Sequence, residues 1–461
     1  MTIARAKIGR LTVAAVAVFG LAVGGGVLAN APKAEAAIGS PTVSASTTLG
    51  WATRTPLGQT YAANSFIVDS HGMDTKQSFS YSGGAFTPIT RTAGTYVDGS
   101  THVTVGMPSG EMWAVDLTTD NISFDSAQSK WTGTFLKFAS PTGSSVGSSE
   151  FTISALPGNS NGYWQPYSVF IDGGYIYMSL YRLTTGSETW TVAGTPTTVP
   201  NAKIGDTWMV RASLSTPTSF QYIGGIANKA AYQTALTAAG YGPYDLPLYY
   251  SVGPRCIPTD GTKIVCITRS SADDDDSTRK LDATKVFNAA QSSQDSQRSR
   301  FYGGYVAPGV YQQALEKGKY YAPKNTVKIP PMMVSITSNG GTSWTHKIIA
   351  DNGGIDGNLA YDSANNLLVV AYGGQTYPRK DVAVQWSEDL GTTWSSPLTV
   401  TGGDDAYTTG TPTIFKTAAK TFVLVYDSLP RYFEMASRAG NPSPAVMPAE
   451  WRLMTRTITF P

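Results

Sequence analysis

The chain is sparing with residues that do chemistry, and those it has are unevenly placed. His71, His102 and His346 are its three histidines, and they stand too far apart to suggest a zinc set. Asp273 to Asp276 form an acidic run. It lacks the alternating ligands and the glycine of a calcium loop, so it reads as a solvated acidic turn, and no metal or cofactor is expected. The two cysteines, Cys256 and Cys266, flank Asp260-Gly261 almost symmetrically. That dipeptide between strand-like residues reads as a hairpin turn, which sets the two thiols face to face across adjacent strands. In an oxidising compartment they should form a disulfide. Aromatic residues are plentiful where loops are expected, at Tyr163-Trp164-Gln-Pro-Tyr167, Tyr241 to Tyr250 and Tyr302 to Tyr305. Such rings can stack on sugar faces, although tyrosine is also a common strand former. No nucleotide-binding loop and no serine-hydrolase elbow stands out.

The elements that must hold these groups are strands. Of 461 residues, 14% are charged, while glycine (47), proline (27), tyrosine (25) and tryptophan (10) point to many short strands and tight turns. Residues 1–36 read as a secretory signal: Arg5, Lys7 and Arg10 precede an apolar run from Leu11 to Ala29, and Ala34-Glu-Ala36 offers small residues at a cleavage site. A retained anchor is the alternative, disfavoured by Gly20 and Gly24 to Gly26. Four basic residues and one acid leave with the signal, so a net charge of +2 becomes about −1. Nothing then favours nucleic acid or anionic lipid as partner. No later segment is long and apolar enough to span a bilayer, and a secreted, monomeric protein is expected.

A repeated unit organises residues 37–461. A strand–turn–strand is followed by another strand and a Ser/Thr/Gly turn that ends in an aromatic residue. The fullest copy runs from Asn358 to Tyr372, then Val382 to Trp386, then Ser387-Glu-Asp389-Leu-Gly391-Thr-Thr393-Trp394. A near-copy of the turn is Thr337-Ser-Asn339-Gly-Gly341-Thr-Ser343-Trp344, about fifty residues earlier, a spacing common among propeller blades. In such a turn the Asx side chain accepts bonds from its own backbone, glycine takes positive φ and tryptophan tucks under the strands. Weaker echoes at Phe79–Phe86, Tyr167–Ser179, Arg211–Phe220, Tyr249–Thr268 and Thr411–Tyr426 bring the estimate to six units. The period fails between Phe220 and Trp344, so insertions are expected within about 225–330, with helical stretches at Lys229–Ala239 and Pro308–Lys317.

The Ser387–Trp394 and Thr337–Trp344 turns resemble those of the Asp-box (BNR-repeat) sialidase-like propellers. The resemblance implies an all-β fold, a six-bladed β-propeller with Asp-box turns and a long loop/helical insertion. It also implies that Asp389 and Asn339 are structural. Carried through to chemistry, it implies an exo-sialidase-like glycoside hydrolase acting on extracellular or cell-wall glycan. Three arginines would clamp a substrate carboxylate, a tyrosine activated by a glutamate would attack the anomeric carbon, and a loop aspartate would serve as acid/base. Arg54, in Thr53-Arg-Thr-Pro56, matches the first arginine's position but has Thr where an apolar residue is usual. Arg255 and Arg379 are the candidates for the other two. Asp74 or Asp69 would be the acid/base, Tyr426 the nucleophile and Glu434 its supporting carboxylate. Each position has a plainer alternative: a surface ion pair for Arg54, a turn cap for Asp69, solvation for Arg379, core packing for Tyr426. Two other readings suit the same fold. One is a two-carboxylate glycosidase of exo-arabinanase type using Glu111 and Glu434; the other is a carbohydrate-binding or adhesive propeller without catalysis.

Overall fold

A computed structural model describes residues 36–461 except 41, 48–51, 63–64, 73–75, 83–84, 90–102, 117–122, 126–129, 141–142, 155, 158–161, 193–194, 240–250, 262, 271–331, 350–354, 374–381, 402–406, 410–411 and 431–450. Residues 36–461 form one compact unit. Among the described residues the structure is almost wholly β.

The chain enters through β1 (Ala37–Ile38) and β2 (Thr42–Thr47). A first meander follows: β3 (Ala52–Ala62), β4 (Ser65–Gly72), β5 (Lys76–Ser82) and β6 (Ala85–Ile89). Next come β7 (Val103–Gly106), β8 (Met112–Asp116), β9 (Ser123–Asp125), β10 (Lys130–Phe138) and β11 (Ser145–Ser154). The third group is β12 (Gly162–Asp172), β13 (Tyr175–Val192), β14 (Thr195–Ser213) and β15 (Ser219–Ala227), followed by the helix α1 (Lys229–Ala238). The fourth is β16 (Ser251–Asp260), β17 (Lys263–Ser270), β18 (Met333–Thr337) and β19 (Thr345–Ile348). The fifth is β20 (Ile355–Asp362), β21 (Leu367–Gly373), β22 (Val382–Ser387) and β23 (Leu398–Thr399). β24 (Tyr407–Thr409), β25 (Thr413–Ala418), β26 (Thr421–Pro430) and β27 (Trp451–Thr459) complete the chain.

Within each group strands pair antiparallel and mostly in sequence order; the exceptions are β8, which pairs with β10 rather than β9, and β24, which pairs with β26 rather than β25. Two pairings reach beyond a group. β11 and β15 run parallel, with Ile153 opposite Phe220, and this fuses the second and third groups into one sheet. The last sheet takes its outer strands from the other end of the chain: Ala37 pairs with Thr459, and Thr42 with Thr455.

Strand periodicity explains how the sheets stack. In β21 all seven residues are buried, because both faces are covered. Leu367, Val369 and Ala371 pack with Ile414, Phe422 and Leu424 of the last sheet, while Leu368, Val370 and Tyr372 pack with Val265, Ile267 and Val334 of the fourth. The fourth sheet packs in turn on the third through Ile264, Cys266, Met209 and Ile226, and the third on the second through Met178, Leu180, Phe135 and Phe151. Each such aliphatic side chain contributes about 1.5–3 kcal/mol on burial. The first strands β3, β7, β12, β16, β20 and β25 each lie against the next, and β25 lies against β3. Where two of them are tied at both ends they run the same way: Asn358 bonds Thr413, and Asp362 pairs with Lys416.

The expected helix is present as α1, with Asn228 Oδ1 accepting from the Ala231 N–H at 2.9 Å and Tyr232 fully buried. The cysteine hairpin is present too. Cys256 lies opposite Cys266 in register and the disulfide joins them, with Cα atoms 4.0 Å apart. Pro308–Lys317 and Asp273–Asp276 lie outside the described residues, as do the first 35 residues.

Candidate functional site

Antiparallel order gives every sheet two distinct ends. The first strand begins where the second finishes: Ala52 pairs near Gly72, Gly162 with Thr184, Ser251 with Ser270, and Ile355 with Gly373. The connection from second to third strand leaves from that same end. The first-to-second and third-to-fourth turns lie at the opposite end.

The opposite end is occupied by turns that satisfy themselves. Ser387 Oγ donates to Asp389 Oδ1 (2.7 Å) and accepts from the Gly391 N–H (2.7 Å). The Asp389 carboxylate also accepts from the Thr393 N–H (2.7 Å) and the Thr393 hydroxyl (2.6 Å). Gly391 sits at φ 88°, and the Trp394 indole donates to its carbonyl at 3.0 Å. Burial works to raise the Asp389 carboxyl, but the bonds from Thr393, Ser387 and Thr392 outweigh it and hold the group below the ordinary carboxylate range. The Thr337–Trp344 turn has the same frame. Asn339 Oδ1 accepts from the Thr337 hydroxyl and the Ser343 N–H, and its amide donates to Ser343 Oγ at 2.8 Å. Both aromatic ends dock as expected, Trp394 against the cluster between the fourth and fifth sheets and Trp344 against that between the third and fourth.

Asp362 lies at this end as well. It is fully buried at the close of β20, paired with Lys416 (2.6 Å), and accepts from the Lys420 N–H (2.8 Å) and the Asn365 amide (2.7 Å). Burial would raise its carboxyl; those partners hold it at about 2. Glu111 is here too, in the turn from β7 to β8, where it accepts from the Trp113 indole at 3.0 Å and meets Ser109. An indole N–H two residues away fixes it at the end remote from the second-to-third connections.

Of the residues nominated for chemistry, Arg54, Arg255 and Tyr426 lie on described strands. Arg54 stands near the start of β3, opposite His71, with Asp69 opposite Leu57. Asp74, Arg379 and Glu434 lie outside the described residues, in the segments of sequence between β4 and β5, β21 and β22, and β26 and β27. Arg255 is half-buried on the first strand β16, beside the disulfide. Tyr426 is on β26, and β3 lies against both β25 and β26, so the Arg54 strand neighbours the Tyr426 sheet. Tyr426 is 3% exposed in the cluster between the fifth and last sheets, and its hydroxyl accepts from Arg456 Nε at 3.3 Å. The partner is thus a guanidinium rather than backbone.

Two groups escaped the sequence reading. One is Arg456, opposite Leu424 in register, whose reach to Tyr426 depends on how β26 and β27 pair. The other is Arg182, opposite Asp206 in register and bonded to it at 2.5 Å, with its guanidinium 4.5 Å above the Trp208 ring. An arginine closing the apolar run Tyr177–Tyr181 was the available signal for it. His346 is held differently: its Nδ1 meets the buried Ser335 hydroxyl at 2.9 Å, and burial pushes the imidazole down.

No family profile matches the chain, and no curated protein is similar to it. Solved structures are. A protein of unknown function from Dyadobacter fermentans aligns over 91% of this chain and 99% of its own at 8% identity and TM-score 0.48. The α-L-arabinofuranosidase Arb93A from Fusarium graminearum aligns over 92% and 98% at 9% identity and TM-score 0.47. The Hadza microbial sialidase Hz136 aligns over 81% of this chain at 10% identity and TM-score 0.43, and the match spans 63% of that protein. At such identities and scores no residue role passes from these proteins to this chain. Among the described residues no helix is long and apolar enough to cross a membrane.

Proposed function

We propose that this protein is a secreted six-bladed β-propeller with Asp-box turns, and that it hydrolyses a glycosidic bond of extracellular or cell-wall glycan by sialidase-like chemistry. The observation that supports the reading is that Arg54 and Arg255 both stand on first strands, β3 and β16. Asp74, Arg379 and Glu434 are proposed to join them from the segments that follow β4, β21 and β26. Tyr426 is one strand further out, in the sheet beside Arg54. The six first strands that lie each against the next support six units.

In this mechanism Arg54, Arg255 and Arg379 hold the substrate carboxylate through charge-assisted bonds. The Tyr426 oxygen bonds to the anomeric carbon as its proton passes to Glu434, and Asp74 protonates the departing oxygen. A neutral nucleophile avoids repulsion by the substrate's own charge. Arg456, already donating to the Tyr426 oxygen, stabilises the negative charge that develops there. Water then cleaves the tyrosyl intermediate with Asp74 acting as base.

The two-carboxylate alternative would instead draw on Glu111, which lies at the end that holds the Ser387–Trp394 turn. The test is turnover of a fluorogenic sialoside by the purified protein and by Arg54→Ala and Tyr426→Phe. Loss of a hundredfold or more in both variants, with unchanged urea midpoints, is the expected result. No turnover by the wild-type protein would overturn the sialidase reading, and activity on an arabinofuranoside would replace it.

A further inference from the structure

Asn339 is followed by Gly340, and the place it fills in its turn is held by Asp389 in the other turn of the same frame. Asparagine is a chemically labile residue, most of all before glycine. Glycine has no β-carbon to shield its peptide nitrogen, which can attack the side-chain amide of the preceding residue. Ser338, Asn339, Thr342 and Ser343 are exposed, so water and hydroxide reach the site.

The folded turn supplies what that attack needs. Asn339 Oδ1 accepts from the Thr337 hydroxyl (2.8 Å), the Ser343 N–H (3.1 Å) and the Thr342 N–H (3.2 Å). Three donors on one carbonyl oxygen polarise Cγ and stabilise the negative charge that attack places on that oxygen. The amide nitrogen donates to Ser343 Oγ at 2.8 Å, so a hydroxyl stands beside the group that must leave. The nucleophile has a partner from the third sheet. A β-carbon on Gly340 would lie 3.5 Å from Arg211 Nη1. Stacking over the Tyr175 ring, 4.5 Å from its centre, holds that guanidinium in place. A fixed cation beside a peptide N–H favours loss of its proton.

We propose that Asn339 is a self-modification site, at which the turn and Arg211 convert the amide to the carboxylate that Asp389 already provides in the other turn. In the first step the Gly340 nitrogen bonds to Asn339 Cγ and its proton passes to solvent. The side-chain nitrogen leaves as ammonia, taking a proton that the Ser343 hydroxyl relays from water, and a five-membered imide remains. In the second step water adds to Cγ, the Cγ–N bond breaks, and the nitrogen takes back a proton. The products are aspartate and an intact Gly340 peptide. Opening at the main-chain carbonyl would give isoaspartate instead, the usual outcome in free peptides. Here the three donors sit on the Cγ oxygen and direct water to Cγ. The frame accepts the product readily, because the Thr393 hydroxyl donates to Asp389 at 2.6 Å and the Ser343 hydroxyl can turn to do the same. None of this depends on the glycan-directed function.

The test maps the purified full chain by trypsin and mass spectrometry, before and after several weeks in mildly alkaline buffer. Cleavage at Lys328 and Lys347 releases peptide 329–347, in which Asn339 is the only amide residue, so an amide-to-acid mass gain there reports this site alone. A synthetic peptide 329–347 is the unfolded reference, and enzymatic isoaspartyl methylation distinguishes the two products. We expect conversion in the folded chain with aspartate in threefold or greater excess over isoaspartate, and the reverse preference in the peptide. Arg211→Met should slow conversion about threefold or more at an unchanged urea midpoint. An amide that stays intact in the folded chain while the peptide converts overturns the proposal, because the turn then protects it. A product ratio equal to the peptide's also overturns it, since conversion then occurs in opened chain. Conversion of Arg211→Met at the wild-type rate does so too, because the tertiary structure then adds nothing to the attack.

Discussion

The two ends of the sheets are built on opposite principles. At the end holding the Ser387–Trp394 and Thr337–Trp344 turns, polar side chains find partners within a few residues: Asp389 is satisfied by Ser387 and Thr393, and Asn339 by Thr337 and Ser343. The residues nominated for chemistry lie far apart in sequence, from Arg54 to Glu434, so no local turn can relate them. A carboxylate already saturated by its own turn has no capacity left for a substrate. The difference therefore teaches that Asp389 belongs to the scaffold, despite being the most conspicuous acid in the sequence pattern.

The sharpest way to break the comparison is to exchange the expected phenotypes. Arg54→Ala should lower sialoside kcat/KM by a hundredfold or more at constant stability, whereas Asp389→Ala should leave kcat/KM within about twofold, because oriented charge acts on the transition state and turn chemistry does not. Parallel kinetics and urea titrations would show it, and a catalytic loss in Asp389→Ala at full stability would end the distinction.

Asp362→Ala should be the costliest scaffold change, about 2–4 kcal/mol in urea, since it removes a buried carboxylate that serves Lys416, Lys420 and Asn365. Its pH dependence has a definite sign. The folded carboxyl sits at about 2 against an ordinary 3.8, so its contribution is complete above pH 3.8 and disappears as pH falls towards 2. Stability measured between pH 4.5 and 2 should fall by about 2 kcal/mol more in the wild type than in Asp362→Asn. Equal slopes would mean that the ion pair forms outside the folded state as well.

Replacing both Cys256 and Cys266 by alanine should cost about 2–3 kcal/mol, the loop-closure value for a ten-residue separation. Because the bridge joins β16 to β17 deep in the fourth sheet, glycoside turnover by the folded fraction should persist. The smallest effects are expected in the turns. Asp389→Ala should cost about 1–2 kcal/mol and Asp389→Asn less than about 1, since Asn339 already shows that an amide can hold the same frame. If Asp389→Asn were as harmful as alanine, the charge and not the geometry would be holding the turn.

What was legible in the sequence follows the range of the interactions. The Ser387 turn, the α1 helix and the Cys256–Cys266 hairpin each depend on residues fewer than a dozen apart, and spacing plus turn chemistry sufficed for all three. The end at which Glu111 falls was hidden, because the end of a turn depends on whether an odd or even number of strands precedes it. No local signal reports that parity. The parallel pairing of β11 with β15, the brace of Arg182 on Trp208, and the meeting of Arg456 with Tyr426 were equally hidden, since each needs a particular register between strands that sequence alone leaves free.

By itself, then, the sequence determined the strands, their turns and the class of fold they must build, because alternating apolar residues bounded by glycine-rich turns leave few ways to bury both faces of a sheet. Only the tertiary structure decided which end each residue occupies, how the two ends of the chain complete the last sheet through β1, β2 and β27, and where β13 and β14 outrun their neighbours. Those outcomes rest on strand direction and sheet stacking, and they are settled only when the whole ring packs.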